Sequence, residues 1–177
     1  DTKNLGSSVN LPYFWAIGDD KDLTISNRIF ASEHPLFVGE YRHAFANSDL
    51  LIDFGYTKGY KNLSSTKRSG DKSHLFSRYV KRFDNDGGNQ SNLEINLENV
   101  SNKKYLKLYR IDSNLINYET NTLENFVDYT LYNDKSDLFF NVKGSIFETL
   151  KENYNDKYEY IFPDINLNKN FFSEKFG

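Results

Sequence analysis

The three histidines, His34, His43 and His74, are the residues most able to hold a metal or move a proton near neutral pH. No two of them stand at i,i+4, and the chain has no Cys. Metal-ligand spacing is therefore missing. Polar positions at strand ends, or on a hydrated face, account for all three. Asp84-Asn85-Asp86-Gly87-Gly88-Asn89 looks superficially like a calcium loop. Such a loop needs an oxygen ligand at its fifth position, Gly at its sixth and Glu at its twelfth. Those positions hold Gly88, Asn89 and Ile95, so a hairpin turn explains the segment better. Carboxylates are plentiful, but no pair is placed by sequence as an acid–base couple. Glycosidase carboxylates are paired only in space and leave no such mark. A nucleophile elbow and a phosphate-binding glycine loop are both missing. Asn62-Leu63-Ser64 and Asn99-Val100-Ser101 match a glycosylation pattern that chance supplies in an Asn-rich chain.

With no catalytic or cofactor signature, function must rest on the elements themselves. The 177 residues carry a net charge of -3, with no basic stripe to track nucleic acid. Mean hydropathy is -0.70, and no apolar run approaches the ~18 residues of a transmembrane helix. Low hydropathy is compatible with a membrane barrel, in which only alternate residues face lipid. Tyr and Phe are abundant, at 13 and 15. Such residues suit a pleated surface.

Period-two alternation dominates, the mark of strands with two unlike faces. In Asn92–Glu98, Leu93, Ile95 and Leu97 oppose Asn92, Glu94, Asn96 and Glu98. Leu50, Ile52, Phe54 and Tyr56 oppose Leu51, Asp53, Gly55 and Thr57. Leu138, Phe140, Val142 and Ile146 oppose Phe139, Asn141, Lys143 and Ser145, and Val127, Tyr129 and Leu131 share a face. Asn-, Asp- and Gly-rich turns separate the runs. The pattern predicts an all-β antiparallel meander of about ten strands, most of them ~9–12 residues long. Soluble strands average nearer five or six, whereas about ten suits a tilted bilayer crossing. Lys58–Lys72 reads as a long exposed loop, and Ser101–Asp112 as a short amphipathic helix or irregular connection. No linker divides the chain, so residues 1–177 read as one domain. The opening at Asp1 without Met and the abrupt end at Gly177 read as a piece of a longer protein, or a trimmed expression form. As an open part of a barrel it would expose two sheet edges.

Glu40 and Arg42 share a face, opposite Phe37, Tyr41 and Phe45. That face is either the lumen of a barrel, since charge facing lipid costs ~2–4 kcal/mol at the midplane, or the wet side of a soluble sheet.

Leu11-Pro12-Tyr13-Phe14-Trp15-Ala16-Ile17, followed by Asp22-Leu23-Thr24-Ile25-Ser26, resembles the start of the barrel of LptD, the lipopolysaccharide-assembly family. Phe37-Val38-Gly39-Glu40-Tyr41-Arg42 resembles that family's Gly/Glu-x-Arg strand. Ser101-Asn102-Lys103-Lys104-Tyr105-Leu106-Lys107-Leu108-Tyr109 is similar to its Ser-Asp-x-x-Tyr-Leu connection, and Phe162-Pro163-Asp164-Ile165 to a later strand containing proline. The matches are collinear. Gly18-Asp19-Asp20 departs from the family's Ala-Pro, Asn102 from its Asp, and the lack of Cys from members that carry disulfides.

The resemblance implies a cell outer-membrane protein of a Gram-negative bacterium, not an enzyme and without cofactor. Its implied partners are lipopolysaccharide, an LptE-like plug lipoprotein and an LptA-like periplasmic bridge, the last through a missing N-terminal domain. It implies that lipid leaves sideways through a seam while sugars pass through the lumen. Pro12 matches a gate proline of the family, and a proline cannot donate to the strand ladder. Glu40, Arg42, Asn92, Glu94, Asn96 and Glu98 are the lumen-facing candidates. Tyr13, Phe14, Trp15 and Tyr41 are candidates for an interfacial aromatic girdle. The competing expectations are a porin or receptor barrel, a soluble β-sheet protein that binds or cleaves polysaccharide, and a periplasmic jelly-roll scaffold.

Overall fold

The computed structural model describes residues 5–64, 67, 69–85 and 88–171. Among these residues, nine strands form one antiparallel meander in chain order, with no crossover. They are β1 (Ser8–Ala16), β2 (Lys21–Phe30), β3 (Leu36–Phe45), β4 (Ser48–Gly59), β5 (Ser69–Asn85), β6 (Asn89–Val100), β7 (Thr122–Asn133), β8 (Leu138–Thr149) and β9 (Tyr158–Lys169). The sheet is open, with β1 and β9 as its edges. The count is nine where alternation suggested about ten, and the strands run 9 to 17 residues. The expected loop Lys58–Lys72 is shorter than predicted, because β4 continues to Gly59 and β5 begins at Ser69. Gly59 makes this possible. It sits at φ +79°, where a side chain is strained, and the β4–β5 register shifts there.

The two ends of the sheet differ. The β1–β2, β3–β4, β5–β6 and β7–β8 links have 4, 2, 3 and 4 residues; those at the other end have 5, 9, 21 and 8. The longest link, residues 101–121, folds back over one face. It contains α1, Tyr105–Tyr109, which Arg110 ends by adopting φ 49° in the left-handed region.

Opposed residues in an antiparallel pair share a face, so register sorts the side chains. One face carries Trp15, Leu23, Tyr41, Ile52 and Leu97 in one row, and Leu50, Tyr79, Ile95 and Val127 in the next. The row Leu93, Tyr129, Val142, Ile165 extends it to β9. The opposite face carries Thr24, Glu40, Asp53 and Glu98, then Asp22, Arg42, Arg78 and Asn96. Toward β9 it carries Asp128, Lys143 and Asp164. Folded soluble sheets bury their apolar face and wet the polar one. Here the apolar face is open: Leu75, Leu97 and Val127 are each about 50% exposed, and Ile165 is 60% exposed.

The buried core lies on the other side, at the long-connection end of the polar face. Residues 101–121 contribute Tyr105, Leu106, Tyr109, Ile111 and Ile116 to it, against Phe30, Leu36, Phe76 and Val100 of the strands. At roughly 1.5–3 kcal/mol per buried side chain, those five residues alone hold the connection down by about 7–15 kcal/mol before entropy is counted.

Candidate functional site: the polar face and the segment folded onto it

The polar face carries a network of ion pairs and hydrogen bonds. Arg42 Nε donates to Asp22 (2.9 Å) with Glu40 at 3.8 Å, and Arg78 Nε donates to Glu94 (2.8 Å). Lys143 Nζ donates to Glu124 (2.8 Å), and Arg82 pairs with Asp49. The arginines remain about half exposed, so these pairs organise the surface and add little stability. Glu98 is more enclosed. It accepts the backbone N–H of Glu124 (2.9 Å) and the amide of Asn96 (3.2 Å).

Under the connection lies a buried polar chain. The carboxylate of Asp53 can only accept, so His74 Nε2 carries the proton and donates to it (2.8 Å). His74 Nδ1 then accepts from the Tyr105 hydroxyl (3.0 Å). The imidazole stacks on Phe76, with ring centroids 4.7 Å apart. An Asp–His–hydroxyl chain has the connectivity of a nucleophile triad. Tyr105 is completely buried, so no substrate reaches its oxygen. Burial also lifts the Tyr105 phenol above its ordinary range and that of Tyr109 to about 12, so both hydroxyls stay protonated and uncharged. The chain is thus a structural tie between β4, β5 and α1.

Gly55 makes room for it. A Cβ there would lie 2.4 Å from His74 Cε1 and 2.9 Å from the Tyr105 oxygen. Other ties hold the same segment. Arg28 donates to the Tyr109 carbonyl, and Asn114 donates to Glu40 (2.9 Å). Between strands and segment a cavity of about 450 Å³ remains, lined by Ser26, Arg28, Glu40, Asp53, Asp112 and Asn114 among others.

All six lumen-facing candidates, Glu40, Arg42, Asn92, Glu94, Asn96 and Glu98, fall on this polar face. Of the girdle candidates, Tyr13, Trp15 and Tyr41 stand on the apolar face, while alternation turns Phe14 to the polar face opposite Thr24. Pro12 lies in the edge strand β1, and Pro163 in the edge strand β9. His43 Nε2 donates to Asp20 (3.1 Å), and its Nδ1 pairs with the Tyr41 hydroxyl (3.0 Å), near a strand end. Sequence reasoning missed the Asp53–His74–Tyr105 chain. Its members stand 21 and 31 residues apart, and only strand register brings them together. Among the described residues no group of three or more His, Cys, Asp or Glu side chains could hold a metal ion.

No family model, curated protein or solved structure matches the chain.

Proposed function

We propose that this chain is part of the wall of an outer-membrane β-barrel, with its apolar face against lipid and its polar face toward a hydrated lumen. The observation that carries this reading is the placement of charge. The charged residues that alternation puts on the apolar face are Lys21, Lys58, Asp71, Lys81, Glu148 and Lys169. Each lies within four residues of a strand end. Farther from the strand ends that face carries no charge. A soluble sheet whose face stays bare to water gains nothing from confining charge to its rims. A sheet in lipid must do so, because a midplane charge costs ~2–4 kcal/mol. Trp15 and Tyr41 beside the short-turn end suit the headgroup level. Strands of nine residues or more and the short-turn, long-connection asymmetry agree with such barrels.

Within that class, the ordered motifs around Pro12, Glu40 and Arg42, Tyr105 and Pro163 favour the lipopolysaccharide-inserting barrels over porins. On this reading lipopolysaccharide is the cargo, the saccharide moves along the polar face, and no bond is made or broken. The remaining strands would pair with β1 and β9, and Pro12 would weaken the seam at β1. The experiment is fractionation of the producing cell, followed by site-specific photocrosslinking from Arg42 and Asn96. Recovery in detergent-extracted outer membrane, with crosslinks to lipopolysaccharide, is the expected result. A chain that is monodisperse in buffer without detergent would overturn the barrel. Membrane recovery without crosslinks would overturn the cargo.

A further inference from the structure

We infer that residues 101–121 are a permanent inward plug, docked on the polar face, and that cargo moves only over the uncovered short-turn half of that face. The inference rests on the barrel reading. The observation behind it is a contrast between the two halves of one surface. At the long-connection end, Thr57, His74 and Asp53 are all buried beneath the segment. At the short-turn end, Arg42, Arg78 and Arg82 are half exposed, and a broad open recess runs between them.

A mobile gate would rest on a wet, weakly bonded surface. This segment is instead seated by apolar side chains of which Tyr105, Leu106 and Tyr109 are fully buried. It is also tied by a buried hydrogen-bond chain from two strands. Lifting it would expose those aromatic and aliphatic groups to water and leave Asp53 and His74 without Tyr105. Gly55 marks the seat as built for an occupant, since its missing side chain is filled by His74 and the Tyr105 oxygen. The cavity beside Asn114 and Glu40 lies between the strands and the plug, and the path for cargo is the arginine- and carboxylate-lined recess beyond it.

Hydrogen exchange on the chain in detergent micelles tests this. The amides of Leu108 and Ile111, bonded to Lys104 and Leu106, are compared with those of β4–β6 in the same molecule. We expect both groups to be slowed by about a thousandfold or more relative to free peptide. Slow strands with fast exchange in 105–111 would overturn the plug and leave the barrel standing. Fast exchange throughout would overturn the barrel reading and this one with it. The cysteine-free sequence offers a second measurement. In single-cysteine variants, Arg78→Cys should react with a water-soluble maleimide at least about tenfold faster than Thr57→Cys. Equal rates would mean that the segment lifts, and the plug would be wrong.

Discussion

Val127 lies at the centre of β7, opposite Ile95 and Gly144, and is 50% exposed on the apolar face. Replacing it with lysine separates the lipid-facing reading from any soluble one by the size of the effect. In water, exchanging a half-exposed Val for Lys on a sheet surface changes stability by about 0.5 kcal/mol at most, because little burial is lost. In a bilayer the same change sets an ammonium near the midplane and costs about 2–4 kcal/mol. Val127 has no adjacent charged residue on its own face to soften that cost; its cross-strand neighbours there are Ile95 and Gly144. The folded-to-unfolded ratio should then fall about thirty- to several-hundredfold. Thr130→Lys on the same strand is the matched control. It stands on the polar face, opposite Asn92 and Asn141, and should shift stability by less than about 1 kcal/mol. The assay is urea unfolding of both variants in lipid vesicles and in detergent, followed by the movement of Trp15 fluorescence. Equal effects from Val127→Lys and Thr130→Lys would refute the assignment of faces to lipid and lumen.

Gly55→Ala should cost about 3–6 kcal/mol, since a Cβ at 2.4 Å forces His74 away and breaks both of its hydrogen bonds; hydrogen exchange should show the loss confined to 101–121 and β4–β5. Tyr105→Phe leaves His74 Nδ1 buried without its donor and should cost about 1–3 kcal/mol, read as a lower urea midpoint with unchanged slope. The phenols of Tyr105 and Tyr109 ionise less readily folded than unfolded, so unfolding releases protons above pH 10; their contribution to stability should be constant below pH 10 and fall as pH rises toward about 12, with tyrosinate absorbance and undocking of the segment coinciding. Pro12→Ala restores a backbone donor in the edge strand; slower lipopolysaccharide release with stronger crosslinking at the seam is expected, and unchanged transport would remove Pro12 from the gate.

The alternation of Leu93, Ile95 and Leu97 with Asn92, Glu94 and Asn96 placed a strand and its two faces correctly, because side-chain direction in a strand follows from backbone geometry alone. Ser101–Asp112 reads as either a short amphipathic helix or an irregular connection, and the structure places the five-residue α1 within it. The extension of β4 to Gly59 was not legible. A polar Lys- and Ser-rich stretch reads as loop, and only pairing with β5 makes its backbone a ladder. Phe14 is a related case: in sequence it belongs with Tyr13 and Trp15, but alternation sends it to the other face.

By itself the sequence determined the class of structure: an antiparallel sheet of long strands, with apolar and polar residues already sorted by parity. Both are local properties, set within two or three residues. Tertiary structure decided which face is covered and which is bare. Tyr105 meets His74 across 31 residues, and His74 meets Asp53 across 21. No local pattern carries such a meeting, since it depends on the summed register of three strands and on a connection that folds inward onto the polar side. That choice buries the hydrophilic face at one end and leaves the apolar face open.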